Sequence, residues 1–522
     1  MRVPDDDAGA LNAVERRQLD VIRRFGTVGA LLLAIGSLGA GAAPVFNPVL
    51  RLPVLNLFSR MTTVSMAFAF TGVFMIVLAW LGLGRLSRPG RVRVMSVSQM
   101  ARTLAMWIAP LVFTVPSFSR DVYSYLAQSE IYARGLDPYA LGPAQALGVE
   151  HPLTQGVPTV WRETPSPYGP VFLVIGRVIN WMTNGHVVMG VAMHRVFALI
   201  GLAMIVWALP RLARRFGVSP VSALWLGAAN PLVLFHLVVG VHNESLAIGL
   251  MMVGFELALS KMAKVTPDGP FPPWQPGELR MYAVGAAVIT LGAAVKIPAA
   301  LALGFLGVMI ARRMGGKWKH LFLVAGGLGV VFLVVLSATS FGSGLGYGWV
   351  STLNTASTIK SWMAPMTALG YGAGFLGILM GLGNHIDAAI SVARVFGTVL
   401  GPVIAAKLLL DSFRWKLRPL TGLGVALGAI LIFGAAVHAW YLLWAAVPLA
   451  AAAGNTRFRT AAMAISVLMA VVLAPTGSTF DGRVFVLPYT YVAAVLATLV
   501  ALAVVWRYIP RTPGDGVTTG TP

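Results

Sequence analysis

The chain contains no cysteine. That excludes disulfide cross-links, thiolate catalysis and any metal centre built on sulfur ligands. Charge is also scarce: Asp, Glu, Lys and Arg make up 11% of the 522 residues, where a soluble domain carries about a quarter. Acidic residues are the scarcest charged group, 18 against 39 Lys and Arg. A GxxxxGK[ST] phosphate loop and an HExxH zinc helix are both missing. Paired Gly/Pro-broken helices in matching halves, the mark of many transporters, are not evident either. The sequence shows neither an internal repeat nor a soluble domain.

What fills the chain instead is apolar residue, 57% of the total. Runs such as 29–43, 63–83, 187–207 and 491–506 are almost uninterrupted. Each approaches the roughly 20 residues that carry a helix across about 30 Å of hydrocarbon. Backbone groups in lipid must be satisfied internally, so repeated runs of this length predict an all-α bundle of transmembrane helices. A lipid-facing barrel would alternate polar and apolar residues, and these runs do not. The basic excess, which in a soluble protein would point to nucleic acid, reads here as basic cytoplasmic loops, and no nucleic-acid partner is expected. An acidic, 20-odd-residue preamble precedes the first run, unlike a cleavable signal peptide. The first span is therefore expected to be retained.

Lys and Arg cluster at 85–93, 211–215, 261–264, 312–319, 414–418, 457–459 and 507–511. Placing all of these inside leaves 44–60, 118–185, 339–385, 475–483 and the turns at His242, Lys296 and His438 outside. The alternation predicts roughly 14 spans in a multi-pass plasma-membrane protein with both termini inside. It holds only if the apolar segments 168–182 and 363–382 do not cross but lie as juxtamembrane or re-entrant helices. Residues 1–510 then form a single transmembrane domain with two large extracytoplasmic loops, 118–185 and 339–385. Residues 511–522 read as a disordered cytoplasmic tail. Loops this long inside a compact membrane domain are usually functional.

Eight carboxylates fall on the outer side: Asp121, Glu130, Asp137, Glu150, Glu163, Glu244, Asp387 and Asp481. Asp121 sits in Ser119-Arg120-Asp121-Val122-Tyr123-Ser124-Tyr125, where the third span meets the first large loop. A carboxylate there can act as general base toward a sugar hydroxyl, with Arg120, Tyr123 and Tyr125 contacting the sugar. It can equally cap a helix or pair with Arg120. Glu163 and Tyr168 lie in a rigid Pro/Gly-rich stretch; Glu163 either meets substrate or pairs with Arg162. His242-Asn243-Glu244 is a polar triplet in apolar surroundings, either a substrate-facing group or a solvated turn. One His and one carboxylate are too few for a metal site, so a divalent metal is unsupported and no cofactor is expected. Lys296, isolated in an apolar stretch, fits a phosphate oxygen or snorkels to the interface. Arg483 is a natural second phosphate anchor. His438 and Tyr441 either line a substrate site or belong to an interfacial aromatic belt. An outward-facing transferase finds no nucleotide sugar, so its donor would be an activated sugar on a lipid carrier.

The loop motifs resemble a known family. Ser119–Tyr125, Gly135-Leu136-Asp137-Pro138-Tyr139, Ser166-Pro167-Tyr168-Gly169-Pro170, His242-Asn243-Glu244 and His438-Ala439-Trp440-Tyr441 are similar to segments of GT-C glycosyltransferases. More narrowly, they resemble the polyprenol-phosphate-mannose-dependent α-1,6-mannosyltransferases of mycobacteria and corynebacteria. The resemblance implies a GT-C fold with the active site on the periplasmic face and Asp121 as the catalytic aspartate. It further implies decaprenyl-phosphate mannose as donor and a phosphatidylinositol mannoside or lipomannan precursor as acceptor, with inversion and a role in starting the mannan backbone. A flippase that moves a lipid-linked sugar without making a bond is the alternative from a different class.

Overall fold

The structure is a computed structural model that describes residues 8–266, 269, 272–355, 360–361, 363–454, 456–477 and 485–508. These residues are mostly helical; the strands described among them form one short parallel pair, Gly9–Ala10 with Arg93–Val94. Six of the described helices are long and apolar enough to cross a bilayer: Ala13–Ala40, Thr62–Leu86, Val187–Arg215, Trp318–Gly342, Ile386–Phe413 and Leu487–Trp506. A seventh crossing arises if the bent pair Val233–Val239 and Glu244–Leu259 counts as one span. Pro170–Thr183 and Pro365–Leu379, expected to lie along the membrane, are apolar helices below that length. The tail at 511–522 lies outside the described residues.

Exposure is inverted relative to a soluble protein. Phe322, Leu333, Val334, Val392, Phe396 and Leu499 stand in the open on three of the long helices. Large apolar faces of this kind suit lipid as solvent. The interior is held by packing and by polar groups that answer one another. Trp80 and Trp225 stack at 4.5 Å, and each indole N–H donates to the other's backbone carbonyl at 2.8 Å. Arg313 and Glu278, both almost fully buried, pair at 2.8 Å, and Arg215 pairs with Glu256 at 2.7 Å.

Two features aim the chain at one place. The break between Val233–Val239, a π-helical turn, and Glu244–Leu259 bends the path by 110° and delivers His242-Asn243-Glu244 into the interior. The sequence pattern predicts the triplet in an outer turn between two spans. The structure shows it between two helices bent by 110° with all three side chains buried, which excludes the solvated-turn alternative. π-Turns and breaks of this sort concentrate at functional sites because they free backbone groups and re-aim side chains. The second feature is the contact between Val187–Arg215 and Glu244–Leu259. A side chain at Gly201 would stand 2.3 Å from the Ser245 carbonyl carbon, so only glycine lets the helices approach this closely. Ser245 locks the contact by donating to the Ala198 carbonyl at 2.6 Å.

Gly201→Ala therefore tests whether this approach sets the position of Glu244. Overpacking of this kind costs about 1–3 kcal/mol, so the variant should melt at a lower temperature and lose proportionally more activity than stability. A wild-type melting curve with wild-type activity would show that the contact positions nothing.

Candidate active site

Asp121 opens the helix Asp121–Ala133, where the positive end of the helix dipole faces its carboxylate. Its backbone N–H donates to Ser119 Oγ at 3.1 Å. Three residues earlier, Phe118 takes φ of 66°, stacking its ring on Phe235 at 5.2 Å. Val241, directly before His242, takes φ of 59°. For a β-branched residue that is a genuine backbone outlier. Such strain persists only where the surroundings over-determine it, and it collects at active sites. Here one strained residue precedes Asp121 and another precedes His242-Asn243-Glu244, two of the segments that supply the cluster.

The cluster itself joins three parts of the chain. Glu244 is wholly buried and its Oε1 pairs with Lys296 Nζ. His242 Nδ1 lies 3.5 Å from Asp121 Oδ2 and 3.7 Å from Glu244 Oε2. Lys296 comes from the non-helical link between Glu278–Ala293 and the turn Ile297–Ala300, and its ammonium also faces the rings of Tyr441 at 5.0 Å and Tyr168 at 5.8 Å. An aromatic stack closes the back: His438 on Trp440 at 4.5 Å, and Trp440 on His242 at 4.0 Å. Among the described residues, no group of three His, Asp or Glu side chains stands in metal-holding geometry.

Burial raises the pKa of Asp121, the negative charge of Glu244 raises it further and Lys296 opposes both, leaving it at about 6. The carboxylate is thus a stronger base than an ordinary aspartate yet still ionised at neutral pH.

Asp121, Lys296, Tyr168, His438 and Tyr441 open onto a cavity of about 330 Å³. Its polar wall adds Ser124, Gln128, Thr164 and Thr352, and its apolar wall is built from Ile297, Leu353, Ile430, Leu431 and Ala435. The cavity therefore presents charged groups and hydrocarbon in the same lining. Several polar atoms beside it, both amide atoms of Asn243 and Ser124 Oγ among them, are buried without a hydrogen-bond partner. Unpaired buried polar atoms are costly and are characteristic of sites that engage a ligand.

Two family models cover most of the chain. Residues 23–312 match the N-terminal domain of the alpha-(1->6)-mannopyranosyltransferases, and residues 366–503 match the MptB C-terminal domain. This chain belongs to the alpha-(1->6)-mannopyranosyltransferase family. Within it, a probable alpha-(1->6)-mannopyranosyltransferase of Mycolicibacterium smegmatis is 44% identical, over 97% of this chain and 92% of the relative. An alpha-(1->6)-mannopyranosyltransferase of Mycobacterium tuberculosis is 42% identical, over 96% and 90%. Alpha-(1->6)-mannopyranosyltransferase B of Corynebacterium glutamicum is 36% identical, over 98% and 86%. No solved structure matches the chain.

The mannosyltransferase motifs converge unevenly. Asp121, Lys296, Tyr168, His438 and Tyr441 line the cavity, while His242 and Glu244 sit behind them in the ion-pair cluster. Tyr125 is buried edge-on against Tyr168 and Phe172 at 5.1 and 4.9 Å, supporting the wall. Tyr123 points the other way and donates to the Ala42 carbonyl at 2.5 Å. Arg120 donates to the carbonyls of Gly156 and Ala43, each at 3.3 Å, so its visible contacts tie loops together and do not pair with Asp121. Glu163 is exposed and does not line the cavity, and Arg162 donates to the carbonyls of Val157 and Gln155. Arg483 lies outside the described residues. Ser124 and Gln128 were missed, although they stand three and seven residues after Asp121 on one helical face, a spacing readable once the helix start is known.

The pairing of Glu244 with Lys296 makes a prediction. Removing one partner of a buried pair costs about 3–5 kcal/mol, because the other is left charged and unpaired. Lys296→Met should therefore melt well below wild type, whereas the double variant Glu244→Gln/Lys296→Met should regain much of that stability without regaining wild-type turnover. Additive losses in the double-mutant cycle would show that the two groups are not coupled.

Proposed function

We propose that this mannosyltransferase moves mannose from a polyprenyl-phosphate-mannose donor to a lipid-linked mannoside acceptor by a single inverting displacement. The observation that carries the reading is the Asp121 carboxylate in the wall of a cavity that also holds Lys296. The apolar wall suits the prenyl chain, and the ammonium beside it suits the carrier's phosphate. Asp121 takes the proton of the acceptor's 6-hydroxyl as that oxygen attacks the anomeric carbon. The bond from that carbon to the phosphate oxygen breaks on the opposite face, and its electron pair leaves with the lipid phosphate. Lys296 stabilises the charge that grows there, a role for a preorganised cation. The scheme uses no metal ion, since the ammonium supplies the positive charge; Arg483 is a second cation for the same phosphate.

The acceptor in this reading is a phosphatidylinositol mannoside or short lipomannan precursor, and the member type is the one that starts the mannan backbone. Match of the C-terminal region to the MptB domain supports that assignment. The site opens on the periplasmic side of the plasma membrane, with roughly 14 crossings that include shorter helices and with both termini inside.

Incubating the purified protein in lipid nanodiscs with radiolabelled polyprenyl-phosphate mannose and a phosphatidylinositol mannoside should yield a lengthened α-1,6-linked product. General-base catalysis contributes about 10²–10⁴-fold, so Asp121→Asn should lose that much turnover without losing its fold. Near wild-type transfer by Asp121→Asn would remove the aspartate from the mechanism. Passage of unchanged donor across vesicles, with no product, would favour the flippase reading.

The pH profile follows from the same group. Only the ionised carboxylate can accept the proton, so kcat/KM should be level at neutral pH and fall below about pH 6. Lys296→Met removes the positive charge that favours ionisation and should shift the acid limb upward. An acid limb near pH 4, unmoved in that variant, would place the titrating group elsewhere.

A further inference from the structure

The helices that bring Glu244 and Lys296 to the active site lead at their other ends to a second cavity, of about 560 Å³. Glu244–Leu259 reaches it through Leu259, and Leu301–Arg313 through Arg312. At 1.5 Å per residue, Glu244 and Leu259 lie about 22 Å apart along their helix. The second cavity is therefore a separate site at the opposite end of the bundle.

Among the described residues, five cationic side chains line it, Arg215, Lys264, Arg312, Lys416 and Arg418, and no Asp or Glu does. Glu256 answers Arg215 at 2.7 Å. Arg312 is only 6% exposed, and its visible partners are neutral: the carbonyls of Ser412 and Leu417 and the ring of Trp415 at 4.0 Å. Arg418 donates to the Phe216 carbonyl at 2.9 Å. The ammonium groups of Lys264 and Lys416 make no hydrogen bond or ion pair among the described residues. Asp411, whose field reaches Lys416, is itself paired with Lys407 at 2.6 Å. Converging cations repel one another, and an enclosed guanidinium with neutral partners leaves its charge for an anion to answer.

The rest of the lining decides which anion. Leu259, Met262, Met309 and Leu417 form an apolar side to the same cavity. A free phosphate would leave that surface unused, whereas a phospholipid places its phosphate and its first acyl carbons within one head-group depth. We propose that this cavity binds an anionic phospholipid, its phosphate on Lys264, Lys416 and Arg312 and its acyl chains along Leu259 and Met309. The basic loops that form it place it in the cytoplasmic leaflet, where polybasic pockets attract anionic lipids.

Native mass spectrometry of the full chain in detergent, titrated with dioleoyl phosphatidylglycerol or dioleoyl phosphatidylcholine, tests this. Wild type should prefer the anionic lipid by about tenfold or more. Lys264→Ala/Lys416→Ala alters two exposed side chains, so it should keep its melting temperature and lose most of that preference. Equal binding of the two lipids, or an unchanged preference in the double variant, would overturn the proposal. So would binding of inorganic phosphate at the same residues with no preference between lipids.

Discussion

A carboxylate sealed from solvent needs a positive partner, and the arrangement of this protein's interior depends on how Glu244 obtains one. Its side chain has no exposed surface, and its Oε2 lacks a hydrogen bond. Lys296 supplies the charge from a second region of the chain, at the point where Glu278–Ala293 gives way to a short turn. The pair then sets the field around Asp121: Glu244 pushes its pKa up and Lys296 pulls it down. A base that is stronger than usual yet ionised at neutral pH results from that opposition.

The surrounding structure serves this pair. The 110° elbow brings Glu244 inward, the glycine contact at Gly201 fixes the first turn of its helix, and the His438–Trp440–His242 stack closes the space behind it. Strained backbone at Phe118 and Val241 is tolerated where these elements meet. The same helices that gather charge at one end carry Arg312 and Leu259 at the other, so one set of elements frames an ionic site on each side of the bundle.

The sequence made some of this legible. Long apolar runs announce a helical membrane bundle, because nothing else hides that much hydrocarbon and satisfies its backbone. Asp121, Lys296, Tyr168, His438 and Tyr441 stood out as polar or amphipathic groups in apolar surroundings, and they do meet around one cavity. What stayed hidden was three-dimensional. Glu244 and Lys296 lie 52 residues apart, and neither sequence context names the other. Tyr123 and Tyr125 look alike in the motif, but one hydroxyl serves the Ala42 carbonyl while the other ring backs the cavity wall. Arg120 reads as a neighbour of Asp121, yet the fold turns it toward loop carbonyls. The break at His242 has no proline to mark it in the sequence; a π-turn and one strained valine make it instead.

The most direct test is a cryo-EM structure with a phosphonate analogue of polyprenyl-phosphate mannose, whose carbon link resists transfer. The account predicts the phosphonate against Lys296, the anomeric carbon facing Asp121 across the cavity, and the prenyl chain beside Ile430 and Leu431. An analogue seated elsewhere, with Asp121 remote from its sugar, would contradict it.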